Sequence, residues 1–121
     1  MSAFKPLQDL RPIVLADGIR ARAVNGERLT MALVDLAPNA ISPEHKHDNE
    51  QLGFVVRGTM TMRVGGEVLE LKAGDTYAIP SEVEHGAAAG PEGCTVTDVF
   101  APVRADWDSR DHIDPTKPDW P

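Results

Sequence analysis

Asn39-Ala40-Ile41-Ser42-Pro43-Glu44-His45-Lys46-His47-Asp48-Asn49-Glu50-Gln51, running on into Leu52-Gly53-Phe54-Val55-Val56-Arg57-Gly58, holds two of the chain's four histidines two residues apart. In an extended strand, residues two apart project from one face, so His45 and His47 can present two imidazoles to one point. Imidazole is a borderline ligand that suits zinc, iron, nickel, copper and manganese. Gln51 follows four residues later. His85 comes far along the chain, after the turn at Pro80-Ser81-Glu82, and joins the pair only if a sheet closes on itself.

Working outward, the flanking sequence predicts such a sheet. Ten glycines, ten prolines and 5% aromatics favour short strands and tight turns over long helices. Asn25-Gly26 lies between two runs of strand formers, Ile19–Val24 and Glu27–Leu36, and reads as a type I′ hairpin turn. Gly65-Gly66 does the same between Thr59–Val64 and Glu67–Leu71, and Lys72–Asp75 forms a further turn before a strand Thr76–Ile79 that Pro80 ends. Leu52–Arg57 reads as a strand broken by Gly58. The last strand, Gly93–Phe100, sets Cys94, Val96 and Asp98 on one face. About nine short strands and no 3.6-residue periodicity predict a compact antiparallel barrel.

The chain of 121 residues has room for one domain with its own core. We divide it into an N-terminal arm (1–11), a barrel (12–104) and an acidic, proline-rich C-terminal tail (105–121), which is either frayed or docked through Trp107 and Trp120. A net charge of −7 with no basic cluster argues against nucleic acid and against anionic membrane surfaces. No stretch approaches the ~20 apolar residues of a membrane span. The first ten residues lack the apolar run of a signal peptide, and the single Cys94 suits a reducing compartment, so the expected location is cytoplasmic. Arg20 and Arg22 read as a solvated strand face, and His112 as exposed. Cys94 reads as a small buried strand residue in preference to a thioether partner of Tyr77.

Asn39–Gly58 resembles the first motif of the cupins, G-x5-H-x-H-x(3,4)-E-x6-G. His45, His47 and Gly58 match, Gln51 stands where the glutamate is usual, and Asn39 stands where the first glycine is usual. Asn is the least costly replacement where a turn needs a left-handed residue. Gly74–Ala89 resembles the second motif, G-x5-P-x-G-x2-H-x3-N: Gly74, Pro80 and His85 match, Glu82 replaces the glycine and Ala89 the asparagine. The resemblance implies an all-β fold, a single antiparallel double-stranded β-helix (jelly-roll) barrel. It also implies one divalent transition metal (Zn, Ni, Mn or Fe) held by His45, His47, Gln51 and His85, and a homodimer. With a neutral amide in place of a carboxylate, the ion would keep its full +2 charge and attract an anionic ligand.

The closing strand Asp98-Val99-Phe100-Ala101-Pro102-Val103-Arg104 resembles, more narrowly, that of KdgF-type cupins of pectin and alginate degradation, which convert 4,5-unsaturated uronates into linear keto sugars. By that resemblance Asp98 is the acid/base, and Phe100 and Arg104 bind substrate. A structural role for Asp98, paired with Arg104 or a backbone amide, stands beside it. The function expected is a metal-dependent enzyme acting on a small anionic sugar acid or keto/enol compound. A metal dioxygenase and a non-catalytic ligand sensor are the alternatives.

Overall fold

The computed structural model describes residues 2–121. Eight strands make one antiparallel sheet: β1 (Ile13–Ala16), β2 (Ile19–Asn25), β3 (Thr30–Leu36), β4 (Ile41–His45), β5 (Glu50–Val64), β6 (Glu67–Lys72), β7 (Thr76–Ile79) and β8 (His85–Ala101). Their order is β1-β2-β3-β8-β5-β6, with β4 added beside β8 and β7 beside β5. The two long strands set the shape. The first half of β5 pairs with β7 and its second half with β6, while β8 pairs first with β4 and then with β3. The two also pair with each other along almost their whole length. This is the jelly-roll barrel expected from the motifs.

Both long strands run through positions where breaks were expected. Gly58 does not end a strand; it bends one. It sits at φ +76° opposite Cys94, between two register shifts, and a Cβ there would overlap the carbonyl of Gly93, itself at φ +81°. These neighbouring glycines let the pair turn a corner: the ladder skips from Gly58–Cys94 to Met60–Ala89 and then resumes. The last strand likewise begins at His85, eight residues before Gly93: Ala87-Ala88-Ala89 has little strand propensity, and pairing with β4 and β5 makes it extended.

The turns follow their glycines with one correction. Gly65-Gly66 is the two-residue loop of a hairpin that pairs Val64 with Glu67. At Asn25-Gly26 the ladder instead continues to Asn25–Thr30, closed by a loop in which Gly26 N–H donates to the Leu29 carbonyl at 2.8 Å. The Asn25 side chain accepts from Thr30 Oγ1, which takes it out of the turn.

The core fills the barrel with Ile19, Val34, Leu36, Val55, Met60, Ile79, Val96 and Phe100. The C-terminal tail is docked. A 3-10 turn at Ala105–Ser109 drives Trp107 into this core, and Ile113 N–H donates to the Pro12 carbonyl at 2.9 Å. Farther on, the chain crosses the outside of the sheet and covers Arg22, which is 3% exposed, contrary to the solvated face expected of it. Arg22 pairs with Asp35 at 3.0 Å and donates to the Thr116 carbonyl at 2.9 Å. Asp35 also accepts from Thr95 Oγ1 and from the backbone of Asp119. Arg20 remains exposed as expected; His112 is half-buried, bridged to Ile13.

Candidate metal centre

His45 closes β4 directly opposite His85, the first residue of β8, which brings their ring centroids to 4.3 Å. His47 lies just beyond β4, so the alternation of a strand does not place it. The loop does: its ring is 4.8 Å from His85 and 5.7 Å from His45. That loop is pinned by Glu82, whose N–H donates to the His47 carbonyl at 2.9 Å. One ligand atom from each histidine lies within 4.8 Å of the others.

The hydrogen bonds fix what these rings present. Nδ1 of His45, His47 and His85 lies 2.7, 2.9 and 2.9 Å from the carbonyls of Pro43, Asn49 and Val83. A carbonyl only accepts, so each Nδ1 carries the proton and each Nε2 a lone pair. Burial lowers the pKa of His47 and takes that of His85 down to about 4, so both rings are neutral at pH 7.

Two features call for a cation among those lone pairs. His85 Nε2 is buried with no hydrogen-bond partner, an arrangement that costs about 1–3 kcal/mol when nothing satisfies it. Gln51 Oε1 faces His47 Nε2 at 3.2 Å, acceptor against acceptor, and the Gln51 side chain helps to hold the charge of the Asp98 carboxyl. Only the amide nitrogen can favour a carboxylate, so that nitrogen belongs on the Asp98 side and the oxygen on the side of the imidazoles. Three imidazole nitrogens and an amide oxygen, each Nδ1 braced by a carbonyl, suit a divalent transition metal.

Beside the cluster lies a cavity of about 290 Å³, lined by His45, Gln51, His85, Asp98, Phe100 and Arg104 among others. Asp98 is 5% exposed, and burial pushes its pKa up to about 6. Its Oδ1 accepts from the Tyr77 hydroxyl at 2.5 Å. Arg104 packs its guanidinium 4.7 Å from the Phe100 ring centroid and 4.5 Å from that of Trp107. Its Nε and Nη2 fork onto Asp106 at 3.1 and 3.0 Å, which holds the Asp106 carboxyl below its ordinary range.

Comparison with known proteins agrees with this geometry. The family model for the cupin domain matches residues 32–100. The chain belongs to the cupin family. The cupin is 36% identical over 95 residues to the pectin degradation protein KdgF of Dickeya dadantii, a match covering 77% of this chain and 86% of that protein. Among solved structures it is similar to KdgF from Halomonas sp., with a TM-score of 0.80, 27% identity, and 88% and 98% of the two chains covered. An RmlC-like cupin from Shewanella frigidimarina gives a TM-score of 0.81 at 26% identity, with 88% and 96% covered.

The left-handed turn expected at Asn39 is present, at φ +61°. Glu82, standing where the second motif has glycine, also takes a left-handed conformation, at φ +64°. His45, His47, His85 and Gln51 come together as the motifs imply. Asp98, Phe100 and Arg104 line the same cavity, but Asp98 is hydrogen-bonded by Tyr77 in place of Arg104 or a backbone amide. Cys94 is fully buried in the cupin, and burial raises its thiol pKa to about 11.

Sequence reasoning missed two residues. Tyr77 enters the sequence reading only as a thioether partner of Cys94, and Gly53 carries just the general signal of a lone glycine inside a strand, a close approach. Trp107 and Arg110 also reach the cavity, from a segment the sequence left undecided.

Proposed function

We propose that this cupin is a metal-dependent enzyme that opens 4,5-unsaturated uronates to linear keto sugars. One observation carries the proposal: a single cavity beside the metal-suited imidazole cluster is lined by two of its rings, by the buried carboxyl of Asp98 and by Arg104. The likeness to KdgF supports the choice of substrate.

The residues divide the work. His45, His47, His85 and Gln51 would hold the cation, whose Lewis acidity stabilises negative charge developing on a substrate oxygen. Arg104, its Nη1 outside the fork with Asp106, offers a donor to the sugar-acid carboxylate. Phe100 gives the ring an apolar wall. Asp98 takes the hydroxyl proton of the hemiacetal carbon; the aldehyde C=O forms, the ring C–O bond breaks, and the electron pair passes into an enolate. Asp98 then returns the proton to the distal alkene carbon, so product and substrate are isomers. A carboxyl with a pKa near 6 is suited to both transfers near neutral pH.

The test is direct. Metal-loaded protein mixed with 4,5-unsaturated galacturonate should abolish the ultraviolet absorbance of the conjugated enol ether, and Asp98→Ala should slow that loss by about 10²–10⁴. Unchanged absorbance with the loaded wild type contradicts the proposal.

The outer face of the sheet supports a homodimer. Val24, Met31, Val99, Leu52 and Ala78 are register neighbours across five strands, and Val24, Met31 and Leu52 are each about half exposed, as is nearby Phe54. Sedimentation of the wild type as a dimer and of Leu52→Glu as a monomer is the expected result; a monomeric wild type contradicts it.

A further inference from the structure

The side chains of Tyr77 and Asp98 meet over a strand that neither occupies. Tyr77 on β7 and Asp98 on β8 are both register partners of Gly53, on the intervening strand β5. Strands spaced ~4.8 Å apart put the two backbones nearly 10 Å from each other, too far for a contact between neighbours in one ladder. The phenol spans the gap because the middle position is empty: a Cβ on Gly53 would overlap Asp98 Oδ1 and would stand 2.5 Å from Tyr77 Cζ and 2.6 Å from Cε1. Gly53 does not have a positive φ, so its lack of a side chain, and not conformational freedom, is what the site uses.

This arrangement has a direction. The Tyr77 hydroxyl donates to Oδ1, and Gln51, which faces the imidazole cluster, favours the charged form of the same carboxyl. A buried carboxyl on a short side chain, held through Oδ1 by a phenol, has little freedom about its terminal bonds. Burial and the nearby carboxyl push the Tyr77 pKa far above its ordinary value, so the phenol remains a donor at neutral pH.

We infer that Tyr77 is a positioning residue for the reaction: across the vacant side of Gly53 it fixes the orientation in which Asp98 meets the substrate. The inference rests on the acid/base role proposed for Asp98, and the experiment separates the two. Tyr77→Phe should lower kcat on the unsaturated uronate about tenfold to a hundredfold, the range expected of a misplaced catalytic group, with KM nearly unchanged. Wild-type kcat in Tyr77→Phe, with Asp98→Ala inactive, overturns the positioning role alone. Full activity in Asp98→Ala overturns the acid/base reading on which it rests.

A second readout needs neither turnover nor a disruptive variant. Tyr77 is the chain's only tyrosine, so 3-fluorotyrosine incorporated throughout reports on this one phenol. Its ¹⁹F resonance should move in Asp98→Asn and stay put in Glu70→Gln, an exposed substitution on β6. A resonance insensitive to Asp98→Asn overturns the inference.

Discussion

Tyr77 and Asp98 sit two strands apart yet share a 2.5 Å hydrogen bond, and the absent side chain of Gly53 is what lets them meet. The smallest test of that relationship adds one methyl group. In Gly53→Ala the new Cβ must displace the phenol or the carboxyl, and overpacking of this kind costs about 1–3 kcal/mol. Urea denaturation should show that loss together with a fall in turnover, although no polar group has been removed. Wild-type stability would mean that the space over Gly53 is not filled.

Asp98 opposes folding by its own ionisation. Its pKa is about 6 in the fold against 3.8 for an ordinary aspartate, so the folded chain holds the proton more tightly than the unfolded one. The sign follows: there is no penalty below about pH 4, and a penalty that grows as pH rises and is complete above about pH 6. Asp98→Asn in the metal-free protein should therefore gain on the order of 1–3 kcal/mol at pH 7 and little at pH 4, while losing activity. Equal stability at pH 7 would show that the carboxyl is not held in an apolar site.

Glu82 is strained where it stands. A non-glycine residue at φ +64° costs about 1–2 kcal/mol, partly offset by the backbone entropy that glycine would lose on folding. Glu82→Gly should raise the unfolding free energy by on the order of 0.5–1 kcal/mol, read as a higher urea midpoint with the slope unchanged and the N–H to His47 bond kept. A lower midpoint would assign the Glu82 side chain a stabilising contact.

The Arg22–Asp35 pair fastens the tail. Removing Asp35 leaves Arg22 buried without its partner, and Arg22 Nε already has none. Asp35→Ala should cost about 3–5 kcal/mol and open the segment after Pro115 to proteolysis, because Asp119 N–H loses its acceptor as well. Proteolytic resistance equal to wild type would show that the tail is held without Asp35.

These residues also mark how far the sequence could be read. The spacing of His45, His47 and His85 and the turn glycines reveal the barrel and its histidine cluster, because a metal-suited cluster and a hairpin are each local demands on residue type. Gly58 misleads, since a strand-ending glycine and a bending one look alike until a partner strand supplies the missing hydrogen bonds. Ala87-Ala88-Ala89 carries no strand signal because its pairing is imposed by β4 and β5. Arg22 looks solvated because its partners Asp35 and Thr116 come from other parts of the chain. The bond between Tyr77 and Asp98 depends on the register of three strands, which no single segment encodes.

The central claim is that His45, His47 and His85 converge on one divalent cation. Anomalous diffraction from crystals grown with manganese or zinc tests it most directly. The account predicts a peak between the three Nε2 atoms and Gln51 Oε1 that disappears in His85→Ala. A wild-type map with no peak there, in crystals that diffract well and hold the metal in solution, would contradict it.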